Sequence, residues 1–197
     1  MKGRAAAICV SAIAALLAGG CGDDDGAEPP TQPKETADPL PKLPRGWKPH
    51  VNHRGGFAIG VPSGWSARNR GRDSLFRSGD RLVAVSVSAD RGTGALAVPV
   101  DEFAERVADA LPKLKRLRAQ RARPFQARYE AVAVAAEGKA AGSGVPQRLL
   151  VVVQRREGLA TYTVLVARNA KRAGRPHRDE VRRMLRSLRG RPSRKAG

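Results

Sequence analysis

Histidine, cysteine, serine and the carboxylates are the side chains from which an active site or a metal centre is built, and this chain spreads them thinly. Its histidines are His50, His53 and His177. The first two form an H-x-x-H pair beside Pro49 in an expected loop. A metal centre needs a third ligand and an element that fixes geometry, so solvated loop histidines and no metal are expected. Ser143 lies between Gly142 and Gly144, without the strand-to-helix elbow that exposes a nucleophile. Asp101, Glu102, Glu105 and Asp109 fall on or near the polar face of an expected helix, where solvated ion pairs are the rule. Phosphate loops, dinucleotide fingerprints and zinc-spaced cysteines are all missing. No catalytic residue, metal ligand or cofactor is therefore named, and the ligand-binding residues stay unassigned. An envelope hydrolase is the alternative, and it requires a buried polar cluster around Ser143 or His177.

Cys21 is the exception. Before it stand a basic start with Lys2 and Arg4, an apolar run from Ala5 to Leu17, and the small residues Ala18, Gly19 and Gly20. These three parts make a secretory signal. The apolar run falls short of the roughly 20 residues a spanning helix needs, so residues 1–20 are expected to be cleaved rather than to stay as an anchor. Cys9 leaves with them, and the remaining chain holds one cysteine and no internal disulfide.

The small-residue site before Cys21 resembles the lipobox of bacterial lipoproteins. Leu is usual three places before the cysteine; here it is Ala18, with Leu16 and Leu17 just upstream. The resemblance implies a diacylglyceryl group on Cys21, with palmitate among its acyl chains. Two such chains give stable anchoring where one gives marginal binding. The expected location is the extracytoplasmic face of the cell membrane.

Residues 21–45 then read as a tether. Asp23, Asp24 and Asp25 stand in a row, and prolines recur at 29, 30, 33, 39, 41 and 44. So little apolar surface cannot offset the entropy of ordering. Residues 46–190 are expected as a single domain, with residues 191–197 a basic tail.

Periodicity gives the coarse layout. Phe57 to Val61, Leu75 to Arg77 and Leu82 to Ala89 read as strands, the last with Val83, Val85 and Val87 alternating against Ala84, Ser86 and Ser88. From Asp101, the spacing of Phe103, Val107, Leu111, Leu114 and Leu117 predicts an amphipathic helix, with Lys113, Lys115, Arg116 and Arg118 in its last turns. Pro112 must kink or end it. Tyr129 to Ala136, Arg148 to Gln154 and Ala160 to Ala167 read as three more strands, joined by a Gly-rich loop at 138–146 and a turn around 156–158. The apolar run Leu149 to Val153 suits a strand covered on both faces. His177 to Arg189 reads as a closing helix with Val181, Leu185 and Leu188 inward. Such an order makes an α+β domain, a mostly antiparallel sheet with flanking helices.

The segment Gly56-Phe57-Ala58-Ile59-Gly60-Val61-Pro62-Ser63-Gly64-Trp65 resembles the opening of the PsbP-like fold, which also occurs in actinobacterial LpqN-type lipoproteins. Met184-Leu185-Arg186-Ser187-Leu188 resembles the helix that ends such domains, with a Ser among apolar positions. The resemblance implies a fold and no particular activity. Trp47 and Trp65 are expected as core plugs beside the first strand, with a ligand cavity the alternative.

Charge is the remaining signal. The chain carries 37 Lys and Arg against 18 Asp and Glu, and the tether is acidic, so the excess belongs to the domain. Its runs lie at Lys113 to Arg123, Arg168 to Arg178 and Arg182 to Lys195. Anionic lipid or an anionic cell-wall polymer is the expected partner of such a surface outside the cytoplasm, beside an envelope protein. Nucleic acid is not expected, because aromatic residues for base stacking are scarce. The function expected is that of a membrane-anchored, non-enzymatic binding module.

Overall fold

The computed structural model describes residues 39–90, 102, 105, 115–121, 130–139, 145–155 and 160–190. The leader, Cys21 and most of the tether lie outside them. So do Ser143 and the expected helix from Asp101, apart from Glu102 and Glu105, which are helical.

Ten strands and one complete helix are described. In chain order the strands are β1 (Lys48–Asn52), β2 (Phe57–Val61), β3 (Ser66–Arg70), β4 (Asp73–Arg77), β5 (Val83–Asp90), β6 (Lys115–Arg121), β7 (Glu130–Lys139), β8 (Pro146–Arg155), β9 (Thr161–Asn169) and β10 (Arg189–Gly190). Helix α1 (Arg175–Ser187) lies between β9 and β10. Strands β1, β2 and β10 form a small sheet, and the large sheet runs β3-β4-β5-β9-β8-β7-β6. Every pairing given is antiparallel. The fold is α+β, as its sequence leads one to expect.

Register explains how one sheet becomes the core. Val87, Val164, Val152 and Ala133 stand opposite one another across β5, β9, β8 and β7. All four are buried, because residues at one rung share a face. On this face they join Phe57 and Ile59 from β2 and Val181, Met184 and Leu185 from α1 in one cluster. The next rung, Leu165, Val151 and Val134, turns to the opposite face and is also buried. Strand β8 is therefore covered on both sides, as its unbroken apolar run requires.

Four strands differ from the sequence reading, one of them β10, which takes Arg189 out of the expected closing helix. Strand β3, Ser-Ala-Arg-Asn-Arg, is exposed at every residue and carries no apolar period; it exists because β4 offers it a ladder. Strand β1 places His50 on a strand rather than in a loop. Lys115, Arg116 and Arg118 lie in β6 and not in the last turns of a helix, and Leu117 lies there with them. The three-residue spacing of Leu111, Leu114 and Leu117 fits a helical template, but Leu117, the one of the three that is described, lies in a strand that begins after Pro112.

The two motifs behind the fold resemblance meet in space. Ser187 Oγ accepts from the buried Gly60 N–H at 2.8 Å and donates to Met184 O at 2.6 Å. A Cβ on Gly60 would stand 3.1 Å from that Oγ and 2.5 Å from Leu43 Cδ2. Leu43, ahead of the first strand, thus already packs on the domain. Tyr162, fully buried, donates from its hydroxyl to Gly56 O at 2.8 Å.

Ser187→Ala is expected to destabilise the fold by about 1–3 kcal/mol, the cost of leaving a buried donor unpaired, as read by denaturant unfolding. Gln154 gives the opposite sign. It is fully buried on the core face, and neither amide atom has a hydrogen-bond partner among the described residues. Gln154→Met keeps the length and removes the unpaired groups, so its unfolding midpoint is expected to rise.

Candidate functional site

Helix α1 supplies the most distinctive surface of the described residues. Its apolar stripe, Val181, Met184 and Leu185, is buried, and Leu188 just beyond its end is fully buried. Its outer side presents Arg175, Arg178, Arg182, Arg183 and Arg186, all exposed.

The helix holds two acids, and both are engaged. Glu180 Oε2 accepts from the Trp65 indole N–H at 3.2 Å. Asp179 faces Arg175 at 3.8 Å, one turn back. Among the described residues, no carboxylate pairs with Arg178, Arg182, Arg183 or Arg186. The first turn is also of unusual sign. It contains no acid, and its cap residue, Gly174, offers no side-chain acceptor, although the positive end of a helix dipole favours negative groups.

A second set of arginines lies at one end of the large sheet. Arg168 on β9 stands directly opposite Arg148 on β8. Beyond Arg148 on the same rung stands Glu137 of β7, 3.3 Å from Arg148 Nε. The half-buried Arg168 has no such acid among the described residues. Burial, then the charges of Arg178 and Arg148, push its guanidinium below the ordinary arginine value. The turn from β9 explains how Arg178 comes near. Asn169 Oδ1 accepts from the Lys171 and Arg172 N–H groups at 3.0 and 2.9 Å, and Asn169 O accepts from Ala173 N at 3.1 Å. This closed turn folds the start of α1 back over the end of β9.

His177 belongs to a polar chain, but not to a catalytic one. Its Nε2 lies 2.8 Å from Asp80 Oδ2, and Ser78 Oγ donates to Asp80 Oδ1 at 2.7 Å. The acid stands between serine and histidine, so the imidazole cannot take the serine proton. Ser78 is also buried and accepts from Val83 N–H at 3.0 Å. A nucleophile needs its base within reach and its oxygen exposed. This chain instead ties α1 to the turn between β4 and β5.

The other singled-out residues separate. The His50 ring sits edge-on to Phe76 at 5.1 Å, with Nε2 2.7 Å from Asn69 Oδ1, whereas His53 is exposed in the following turn. Trp47 and Trp65 are half-buried against the core cluster. Trp65 also walls an open groove of about 330 Å³, lined with Lys48, His50, Val61, Pro62 and Ala67. It is both a packing residue and a groove residue.

The sequence matches no protein-family model and no curated protein. Solved structures do resemble it. A point mutant of the protein Mog1 superposes with a TM-score of 0.50 at 12% identity, over 75% of this chain and 97% of its own. That likeness shows a shared fold. A protein of Bacteroides thetaiotaomicron gives 0.48 at 14% identity over 77% of this chain, which spans 50% of the other's length. LpqN of Mycobacterium tuberculosis, described as involved in cell envelope biogenesis, gives 0.38 at 13% identity over 79% of this chain and 83% of its own. No helix among the described residues is long and apolar enough to cross a membrane.

Acid tests the Asp80 latch. Burial raises the carboxyl's pKa, but hydrogen bonds from Ser78 and Leu82 N–H, then the bond and charge of His177, outweigh it and hold it below 3.8. A depressed acid stabilises above its unfolded value, and that contribution is lost as pH falls through the folded one. Thermal unfolding of the wild type is expected to lose stability more steeply than Asp80→Asn between about pH 5 and pH 2.

Proposed function

We propose that this protein is an exported lipoprotein, cut before Cys21 and held by acyl chains to the extracytoplasmic face of a cell membrane. Its domain is a non-enzymatic binding module, and the arginine face of α1 rests against the anionic lipid surface to which the chain is tethered. We read the domain as PsbP-like and LpqN-type. The bond between Gly60 and Ser187 supports that relation, because it joins the two segments that carry the resemblance.

The observation that carries the surface reading is the unbalanced helix. Four exposed arginines lack carboxylate partners among the described residues, while both helix acids are engaged. A solvated helix face ordinarily intersperses the two signs. An unbalanced face adds to the positive field of the domain and attracts an anionic surface within roughly a Debye length, about 8 Å at physiological salt. Tethering keeps the domain near that surface, and an attraction of about 1 kcal/mol per basic residue close to it suffices to orient the domain.

Two measurements test this. In a bacterial host fed labelled palmitate, the full chain is expected to take up label and sediment with membranes. Cys21→Ala is expected to lose both, and label retained by the variant would sink the lipid anchor. With the acyl chains absent, the same Cys21→Ala protein is expected to bind vesicles of phosphatidylcholine with phosphatidylglycerol, more weakly as salt rises. Arg182→Gln with Arg186→Gln is expected to weaken that binding at least tenfold. Salt-independent binding would overturn the surface reading.

A further inference from the structure

We propose that Arg148, Arg168 and Arg178 form a discrete oxyanion site for a phosphoryl group, where the end of the β8–β9 ladder meets the first turn of α1. Three sources of positive charge converge there. The first is the cross-strand pair. Like charges directly opposite on antiparallel strands repel, yet Arg168 and Arg148 are register partners, although Val83, the other register partner of Arg168, shows that an apolar residue fits the same rung. The second is Arg178, brought over Arg168 by the closed turn at Asn169 and near enough for the two charges to act on each other. The third is the start of α1 itself, with no acid in its first turn and no side-chain cap on its N–H groups.

The single acid on the rung, Glu137, lies on the far side of Arg148 and pairs with it. It does not pair with Arg168, which is half-buried and has no carboxylate partner among the described residues. Guanidinium forks match the oxygens of phosphate bidentately, and a phosphoryl group between them would offset the repulsion. The phosphate can belong to a lipid headgroup, to a phosphodiester polymer of the wall, or to the free ion. The site rests on the surface reading only for that source and not for its geometry.

The test uses the full Cys21→Ala chain and inorganic phosphate, with chloride matched for ionic strength. Phosphate is expected to raise the unfolding temperature saturably at one site, and chloride is not. Arg168→Gln is expected to unfold at a higher temperature than its parent without phosphate, because repulsion is relieved, and to bind phosphate at least tenfold more weakly. A structural guanidinium would give the reverse sign. If Arg168→Gln fails to fold, Arg148→Gln at the exposed partner decides instead, and it must lose phosphate affinity. An unchanged phosphate response in either variant, or an equal effect of chloride, also overturns it. Arg182→Gln is the control, expected to keep the phosphate response while weakening vesicle binding. Vesicle binding without a phosphate response removes the site and leaves the surface reading; a phosphate response without vesicle binding does the opposite. Competition against inorganic phosphate by phosphatidylglycerol vesicles or by a glycerol-phosphate polymer identifies the source.

Discussion

Everything else in this domain depends on how α1 is held. The helix must keep Val181, Met184 and Leu185 against the sheet while its other side carries arginines that repel one another and draw it toward water. Burial of three such side chains contributes several kcal/mol, at about 1.5–3 kcal/mol each, but it is non-directional and does not fix rotation about the helix axis. Polar contacts do that. His177 is bound to Asp80 near the start, Glu180 to Trp65 in the middle and Ser187 to Gly60 at the end. Each anchor lies on a different segment: the β4–β5 turn, the β2–β3 turn and β2. The arginine face is therefore aimed by the whole domain rather than by the helix alone.

That arrangement gives Trp65 and Glu180 their meaning. An exposed Glu on a basic helix would ordinarily neutralise an arginine one turn away. Here it reaches to an indole N–H instead, a contact that positions the helix and leaves its charge unbalanced. The chain thus gives up local ion pairing for orientation. The same holds at Asp80, whose carboxylate gathers Ser78, Leu82 and His177 and leaves Arg178, next to His177, without an acid among the described residues.

How much of this was legible depends on what kind of signal each residue carries. Strands β5, β7, β8 and β9 were readable because they are buried, and burial writes a period or an unbroken apolar run into sequence. Helix α1 was readable for the same reason. Strands β1 and β3 were not, since exposed edge strands need only a neighbouring ladder and leave no hydrophobic trace. Strand β6 was misread because leucines three apart satisfy a helical template. The arginine runs were visible as composition, but the pairing of Arg148 with Arg168, twenty residues apart in sequence, depends on the exact register of the β8–β9 hairpin. No local pattern encodes that. Nor could spacing show that Asp80, ninety-seven residues away in sequence, is a partner of His177.

The two places where local rules fail are different in kind, and the difference matters. Gln154, fully buried and without partners among the described residues, sits among apolar residues near Tyr162, so its unmet groups face the inside of the fold. The Arg148, Arg168 and Arg178 group lies where the sheet ends and the helix begins, partly open to solvent, so its unmet charge faces outward. An interior conflict lowers stability with nothing to relieve it, whereas an outward one can be relieved by a ligand of opposite charge. A sequence that is locally consistent elsewhere departs from consistency chiefly at functional or strained positions. By that criterion the arginine group, and not the buried glutamine, is the part of this domain that is built to meet something else.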